Sequence, residues 1–185
     1  SYYGDKVTDA EEVYRAFSLW QEAYPAFGLG NDFIPALSVR HADGNMSTEL
    51  VYQSDKETKE ANATVYTITM KDKAYDFYVD MCYRAYDTCD VIAEWSVIRN
   101  GEKKPVTLLK YAIAYLPVRQ GDGWVSHEHG NWGAEAYITE EPLKPGIFEM
   151  HDLTGNKNSY ENRPNMMLSL DGKPQENSGR TIGAV

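Results

Sequence analysis

Cysteine is nearly absent from this chain of 185 residues. Its two, Cys82 and Cys89, are too few for a disulfide framework, and they flank a turn expected at Asp87-Thr88. A two-residue turn there sets Tyr86 opposite Cys89 and leaves Cys82 further along the ladder, so two free thiols are expected. The same count leans towards a reducing compartment, the cytoplasm. Positive charge is also scarce: 18 Lys and Arg face 28 Asp and Glu, for a net charge of −10. An acidic chain without a basic cluster argues against nucleic acid and anionic membrane as partners. No apolar run approaches the ~20 residues that a membrane-spanning helix needs. Helix signals are almost missing as well. The one short helix expected starts near Thr8, where Thr8 can cap and Asp9, Glu11 and Glu12 sit in the first turn before Val13–Phe17.

What the chain has is aromatic and β-forming residues broken by turn signals. Tyrosine alone occurs 14 times, which suits a pleated sheet and also suits surfaces on which sugar rings stack. Ala36–Arg40 and Thr48–Tyr52 flank His41-Ala42-Asp43-Gly44-Asn45, a hairpin signal. Gln53–Asn62 is charged and reads as a loop. Val65–Met70 and Asp76–Tyr86 read as strands joined across Lys71-Asp72-Lys73, and Val91–Arg99 follows the Asp87-Thr88 turn. Asn100-Gly101 makes the next turn. Val106–Leu116, Ala136–Ile138 and Ile147–Met150 add strands, the last two separated by a loop over Glu140–Gly146 with its two prolines and a glycine. Met166–Leu170 runs to an Asp171-Gly172 turn, and Gly179–Val185 reads as a further strand. Strands at this spacing point to a β-sandwich.

Three blocks carry a family resemblance. They are Tyr24-Pro25-Ala26-Phe27-Gly28-Leu29-Gly30-Asn31-Asp32-Phe33 with Pro35-Ala36-Leu37 and Val39-Arg40; Val91-Ile92 through Trp95 with Ile98-Arg99-Asn100; and Gly130-Asn131-Trp132-Gly133 with Glu140-Glu141-Pro142-Leu143 and Pro145-Gly146. In this order, over nearly the whole chain, they resemble the N-terminal domain of family 36 glycoside hydrolases, the α-galactosidases. The resemblance implies an all-β, two-sheet super-sandwich of the galactose-mutarotase-like kind, with residues 1–185 forming one domain cut at both ends. It further implies a parent enzyme that hydrolyses terminal α-galactosides with retention, using two carboxylates about 5–5.5 Å apart. In the family these lie in a Lys-x-Asp motif and after a glycine triplet, and neither occurs here. No catalytic residue is therefore expected in this chain, and no metal or organic cofactor is implied. The implied partners are the catalytic barrel, α-galactoside sugars and further copies in a homo-oligomer.

The same resemblance makes Asp32 and Phe33 candidates for the mouth of the active site. Asp32 can accept hydrogen bonds from sugar hydroxyls and Phe33 can stack on the ring, or Asp32 can simply cap a turn. Arg40 is a companion candidate. Trp132 is expected in the sandwich core, with an aromatic wall as its other use. Asn131 and Ala134 stand where the family commonly carries arginines, and Asn158–Pro164 departs from its usual histidine-containing segment. Other motifs yield less. Gly28–Phe33 lacks the strand, helix and Lys-Ser/Thr of a phosphate loop. Glu140 and Glu141, as neighbours on an extended chain, face opposite ways and cannot converge on one bond, and both are expected in a solvated loop. His127-x-His129 offers two imidazoles without a third ligand at metal spacing, in a stretch whose Gly123 and Gly130 suggest a loop. Two other roles stand beside the resemblance: a carbohydrate-binding module acting alone, and a purely structural docking domain with exposed strand edges.

Overall fold

The computed structural model describes residues 23–28, 34–116, 123–151 and 162–184. Among these there is no helix, and the expectation of an all-β chain holds. The helix expected at Thr8–Phe17 lies outside the described residues, as do Asp32 and Phe33. The chain divides into two compact units, Ser1–Pro117 and Val118–Val185.

In the first unit, β1 (Leu37–Arg40) pairs antiparallel with β6 (Thr107–Tyr111). Four further strands form an antiparallel meander: β2 (Leu50–Lys59), β3 (Ala63–Asp72), β4 (Phe77–Tyr86) and β5 (Ile92–Asn100), in the order β2-β3-β4-β5. The core joins the two sheets. Leu37 and Val39 of β1, with Tyr24, Ala26 and Ala36, pack with Phe77, Val79 and Met81 of β4. The period of two on β4 aims those three residues one way, and Tyr78, Asp80 and Arg84 the other. On that outer face Asp80 takes a two-pronged hydrogen bond from Arg99, at 2.7 and 3.1 Å, and the Arg99 guanidinium covers the Tyr78 ring. Such exposed pairs contribute little, whereas a fully buried apolar side chain contributes about 1.5–3 kcal/mol.

Several sequence expectations change here. His41–Asn45 does turn, with the Asn45 carbonyl accepting from His41 N–H at 2.8 Å and the His41 carbonyl from Gly44 N–H at 2.9 Å. Yet β1 does not pair with the strand that follows, so the turn is a corner between sheets and not a hairpin. Gln53–Asn62 was expected as a loop, and most of it is the outer half of β2. Beyond Leu50 and Val51 this edge strand is exposed, and its charges are those that keep an open edge from pairing further. The turn after β4 is also longer than two residues, since β5 begins only at Ile92; Cys82 faces Trp95 across the ladder. Both thiols are free as expected, Cys82 buried and Cys89 exposed.

The second unit is one antiparallel sheet of β7 (Trp124–Asn131), β8 (Ala134–Pro142), β9 (Asn162–Ser169) and β10 (Thr181–Ala184), in the order β10-β9-β7-β8. Glu140, Glu141 and Pro142 belong to β8, so the loop begins later than the prolines suggested, while Ile147–Met150 is not a strand. Pro142 is tolerated because it closes an edge strand, where a missing N–H costs no internal pairing.

Candidate functional site

The corner between β1 and β2 concentrates the polar chemistry of the first unit. Arg40 ends β1 exposed, and the next residue, His41, is only 3% exposed. The His41 ring stacks on Tyr75, centroids 3.7 Å apart and 7° from parallel, with the edge of Phe77 against it at 5.7 Å. Its Nδ1 lies 2.8 Å from the Glu102 carboxylate and its Nε2 3.0 Å from Thr48 Oγ1. A carboxylate can only accept, so Nδ1–H donates to Glu102; in the neutral ring this leaves Nε2 to accept from the Thr48 hydroxyl. Glu102 also accepts from Ala42 N–H at 3.2 Å. Hydroxyl, imidazole and carboxylate in series have the bonding pattern of a hydrolytic triad. Thr48 is 0% exposed, so no substrate reaches its oxygen, and the series is a relay of positions, not a nucleophile. Around it, Tyr75 Oη–H donates to Asp43, while the Asn45 amide donates to Tyr75 Oη. The Asn45 backbone N–H, followed by Tyr75, holds the Asp43 carboxyl below its usual value.

The corner also grips the start of the Gly28–Phe33 segment. Thr48 N–H donates to the Phe27 carbonyl at 3.0 Å. Gly28 has φ +111°, and a Cβ there would sit 2.5 Å from Ser47 Cα, so this position requires glycine. On the far side of the segment, Ala36 N–H donates to the Pro25 carbonyl at 2.8 Å and Phe27 N–H to the Leu37 carbonyl at 2.9 Å.

Trp132 corrects its expectation. It is not in a core: it stands 83% exposed at the tip of the β7–β8 hairpin. Asn131 pairs with Ala134, leaving Trp132-Gly133 as the turn, with Gly133 at φ +74° as a type II turn requires. Asn131 Oδ1 accepts from Trp132 N–H at 2.7 Å, so the residue standing in an arginine's place serves the turn. A register shift between His129 and Asn131 bends the strand just before the tip.

His127 and His129 lie on β7, not on a loop, and share a face with ring centroids 5.8 Å apart. His127 Nε2 is 3.5 Å from Glu141, and His129 Nδ1 is 3.2 Å from Thr139 Oγ1. Among the described residues no group of three or more His, Cys, Asp or Glu is placed to hold a metal ion. Glu140 pairs instead with Lys173 at 3.7 Å, so the two adjacent carboxylates do face apart. A cavity of about 220 Å³ in this unit is lined by Ser126, Glu128, Ile138, Asn165 and Met167 among others. Among the described residues, Ser126 Oγ and Asn165 Oδ1 have no hydrogen-bond partner and are sealed from solvent, which leaves a mostly apolar wall.

One carboxyl stands out that sequence reasoning passed over. Burial pushes Glu94 above its usual value, with the Tyr115 backbone and the Tyr83 hydroxyl pulling it back. Tyr83, its cross-strand partner on β4, is itself raised, by burial first and then by the Glu94 charge. Nothing in the composition marks Glu94; its position opposite Tyr83 is a matter of register.

Residues 1–185 match the family model described as the glycosyl hydrolase family 36 N-terminal domain. The chain is similar to α-galactosidase AgaA of Geobacillus stearothermophilus, at 25% identity over 80% of this chain and 23% of that protein. It is also similar to the bifunctional α-galactosidase/sucrose kinase AgaSK of Mediterraneibacter gnavus, at 24% identity over 95% of this chain and 20% of that protein. Among solved structures, AgaA in complex with stachyose superposes with a TM-score of 0.79 at 22% identity, covering 99% of this chain and 30% of that one. The chain thus spans under a third of the length of these relatives.

Proposed function

The chain belongs to the glycosyl hydrolase family 36 N-terminal domain family, and from that premise we propose that it is the non-catalytic N-terminal domain of a retaining α-galactosidase. In this reading it shapes the mouth of the active site and contributes oligomer contacts, while a barrel elsewhere in the protein supplies both catalytic carboxylates. The observation that carries it is the match over residues 1–185, shared with relatives that are α-galactosidases by name. Asp32, Phe33, Arg40 and Trp132 are the sugar-facing residues in this proposal. Arg40 supports it by leaving β1 exposed, beside a corner that also anchors Phe27 and Gly28. The test is hydrolysis of a chromogenic α-galactoside by residues 1–185 alone and by the protein extended through a barrel. Activity in the extended protein alone is expected. Activity in residues 1–185 would sink the proposal, because a carboxylate pair would then have to lie within them.

A second reading draws on Trp132. An indole 83% exposed at a hairpin tip is the kind of platform a carbohydrate-binding module uses. Titration of the isolated chain with galactose or raffinose, followed by tryptophan fluorescence, separates the two. Saturable binding that Trp132→Ala abolishes supports the module; no binding removes it.

A further inference from the structure

We infer that the open end of the meander's inner face is a binding shelf for a neutral pyranose ring, with Tyr66 and Tyr83 as its floor and Glu57 and Glu94 at its two ends. This rests on strand register and exposure, and does not depend on the α-galactosidase reading. Register sets the four in one row. Glu57 of β2 stands opposite Tyr66 of β3, Tyr66 opposite Tyr83 of β4, and Tyr83 opposite Glu94 of β5. Directly opposed residues of an antiparallel pair share a face, so all four side chains leave the same side of the sheet. Tyr83 comes two residues after Met81, so this is also the side of Phe77, Val79 and Met81. The core covers those three and stops short of the row: Phe77 and Val79 are fully buried, whereas Tyr66 is 43% exposed and Glu57 lies in solvent. Neighbouring strands lie about 4.8 Å apart, so a row across all four strands is roughly 14 Å long.

The two ends differ. At the β5 end, half-buried Glu94 accepts from the Tyr115 main-chain N–H and from the Tyr83 hydroxyl. The Ala112 carbonyl accepts from Tyr24 Oη at 2.6 Å and from Ser96 Oγ at 3.2 Å, and Tyr115 packs on the core. That segment walls the row on one side, and at Glu57 the row is open. Two phenol side chains on adjacent strands give an apolar floor, and a carboxylate at each end can accept from several hydroxyls at once. A pyranose is the complement, with an apolar face of C–H groups and a rim of hydroxyl donors. A cation fits less well, because Lys59 follows Glu57 on the same side of β2 and offsets its charge.

The experiment uses the intact protein carrying this domain, dialysed to equilibrium against labelled galactose and, separately, labelled glucose. Wild type is expected to bind an additional ring per chain, of at least one of the two sugars, compared with Tyr66→Ala. Binding by a catalytic site is common to both proteins and cancels in the difference. Tyr66→Phe keeps the floor and should keep the additional ring. Glu57→Gln keeps the shape and loses the charge, and should weaken the additional binding about fivefold. It takes the place of Tyr66→Ala if that variant does not fold, because Glu57 is exposed and its replacement disturbs no core. Equal binding of both sugars by wild type and Tyr66→Ala overturns the inference. An excess for tetramethylammonium and for neither sugar also overturns it, and gives the row to a cation. Hydrolysis of a chromogenic α-galactoside by the same preparations separates this from the proposed function. An inactive wild type that still shows the sugar difference removes the α-galactosidase reading and keeps the shelf; an active one without the difference does the reverse.

Discussion

His41 and Glu102 stand 61 positions apart in the chain, yet Nδ1 and Oε1 are 2.8 Å apart with both side chains withdrawn from water. A pair of this kind stabilises chiefly by what its loss would strand. Glu102→Ala leaves the imidazole N–H and the Ala42 N–H without acceptors inside the fold, and is expected to cost about 2–4 kcal/mol. Urea midpoints of wild type and variant measure it. A loss under ~1 kcal/mol would mean that water replaces the carboxylate.

Glu94 gives a pH dependence of definite sign. Its folded-state value is raised above the usual 4.5 by burial, so folding favours the protonated carboxyl. That contribution is complete below 4.5 and is lost as pH rises through the folded-state value. Glu94→Gln, always neutral, should be more stable than wild type at neutral pH, with the difference shrinking towards acid. Denaturant midpoints from pH 4 upward, at roughly half-unit steps, test this. A difference independent of pH would show that packing and not charge separates the two.

Phe77 and Trp132 should respond oppositely to the same truncation. Phe77 is fully buried at the centre of the first unit's core, so Phe77→Ala should cost about 3–5 kcal/mol. Trp132→Ala at the exposed hairpin tip should leave stability within about 0.5 kcal/mol, and any effect it has should appear in sugar binding. Chemical denaturation of both variants decides it. A strongly destabilised Trp132→Ala would mean that the indole packs against something in solution.

Ala136 is the non-glycine residue with positive φ among those described, at +62° on β8. A Cβ in that conformation is strained by roughly 1–2 kcal/mol, partly offset by the added chain entropy of glycine. Ala136→Gly should therefore stabilise by up to about 1 kcal/mol, read from the unfolding midpoint. Destabilisation would show that the strand straightens at this point in solution.

How much could be read from the sequence follows the range of the interaction responsible. The meander from β3 to β5 was legible because alternation and the Asn100-Gly101 turn act over a few neighbours. β2 was not, because the exposed outer part of an edge strand need not alternate, and its Gln53–Lys59 half is charged. The bend at His41–Asn45 was legible from Asp43-Gly44, but not its consequence. Turn chemistry fixes where the chain reverses, not which strand it will pair with. In the site, Arg40 and Trp132 both stand exposed, and for Trp132 that runs against its expected burial. The His41 series left no sequence signal, because its members sit at positions 41, 48 and 102 with nothing local to link them.

By itself the sequence determined where the chain turns, most of its strands, its acidic surface and its family, since each depends on residue type and short spacing. Tertiary structure decided the rest. It paired β1 with β6, left Trp132 in solvent, and buried His41 between Tyr75 and Phe77 with Glu102 on one nitrogen and Thr48 on the other. Those outcomes follow from which strands pair and which surfaces meet within each unit, a condition that no window of neighbouring residues contains.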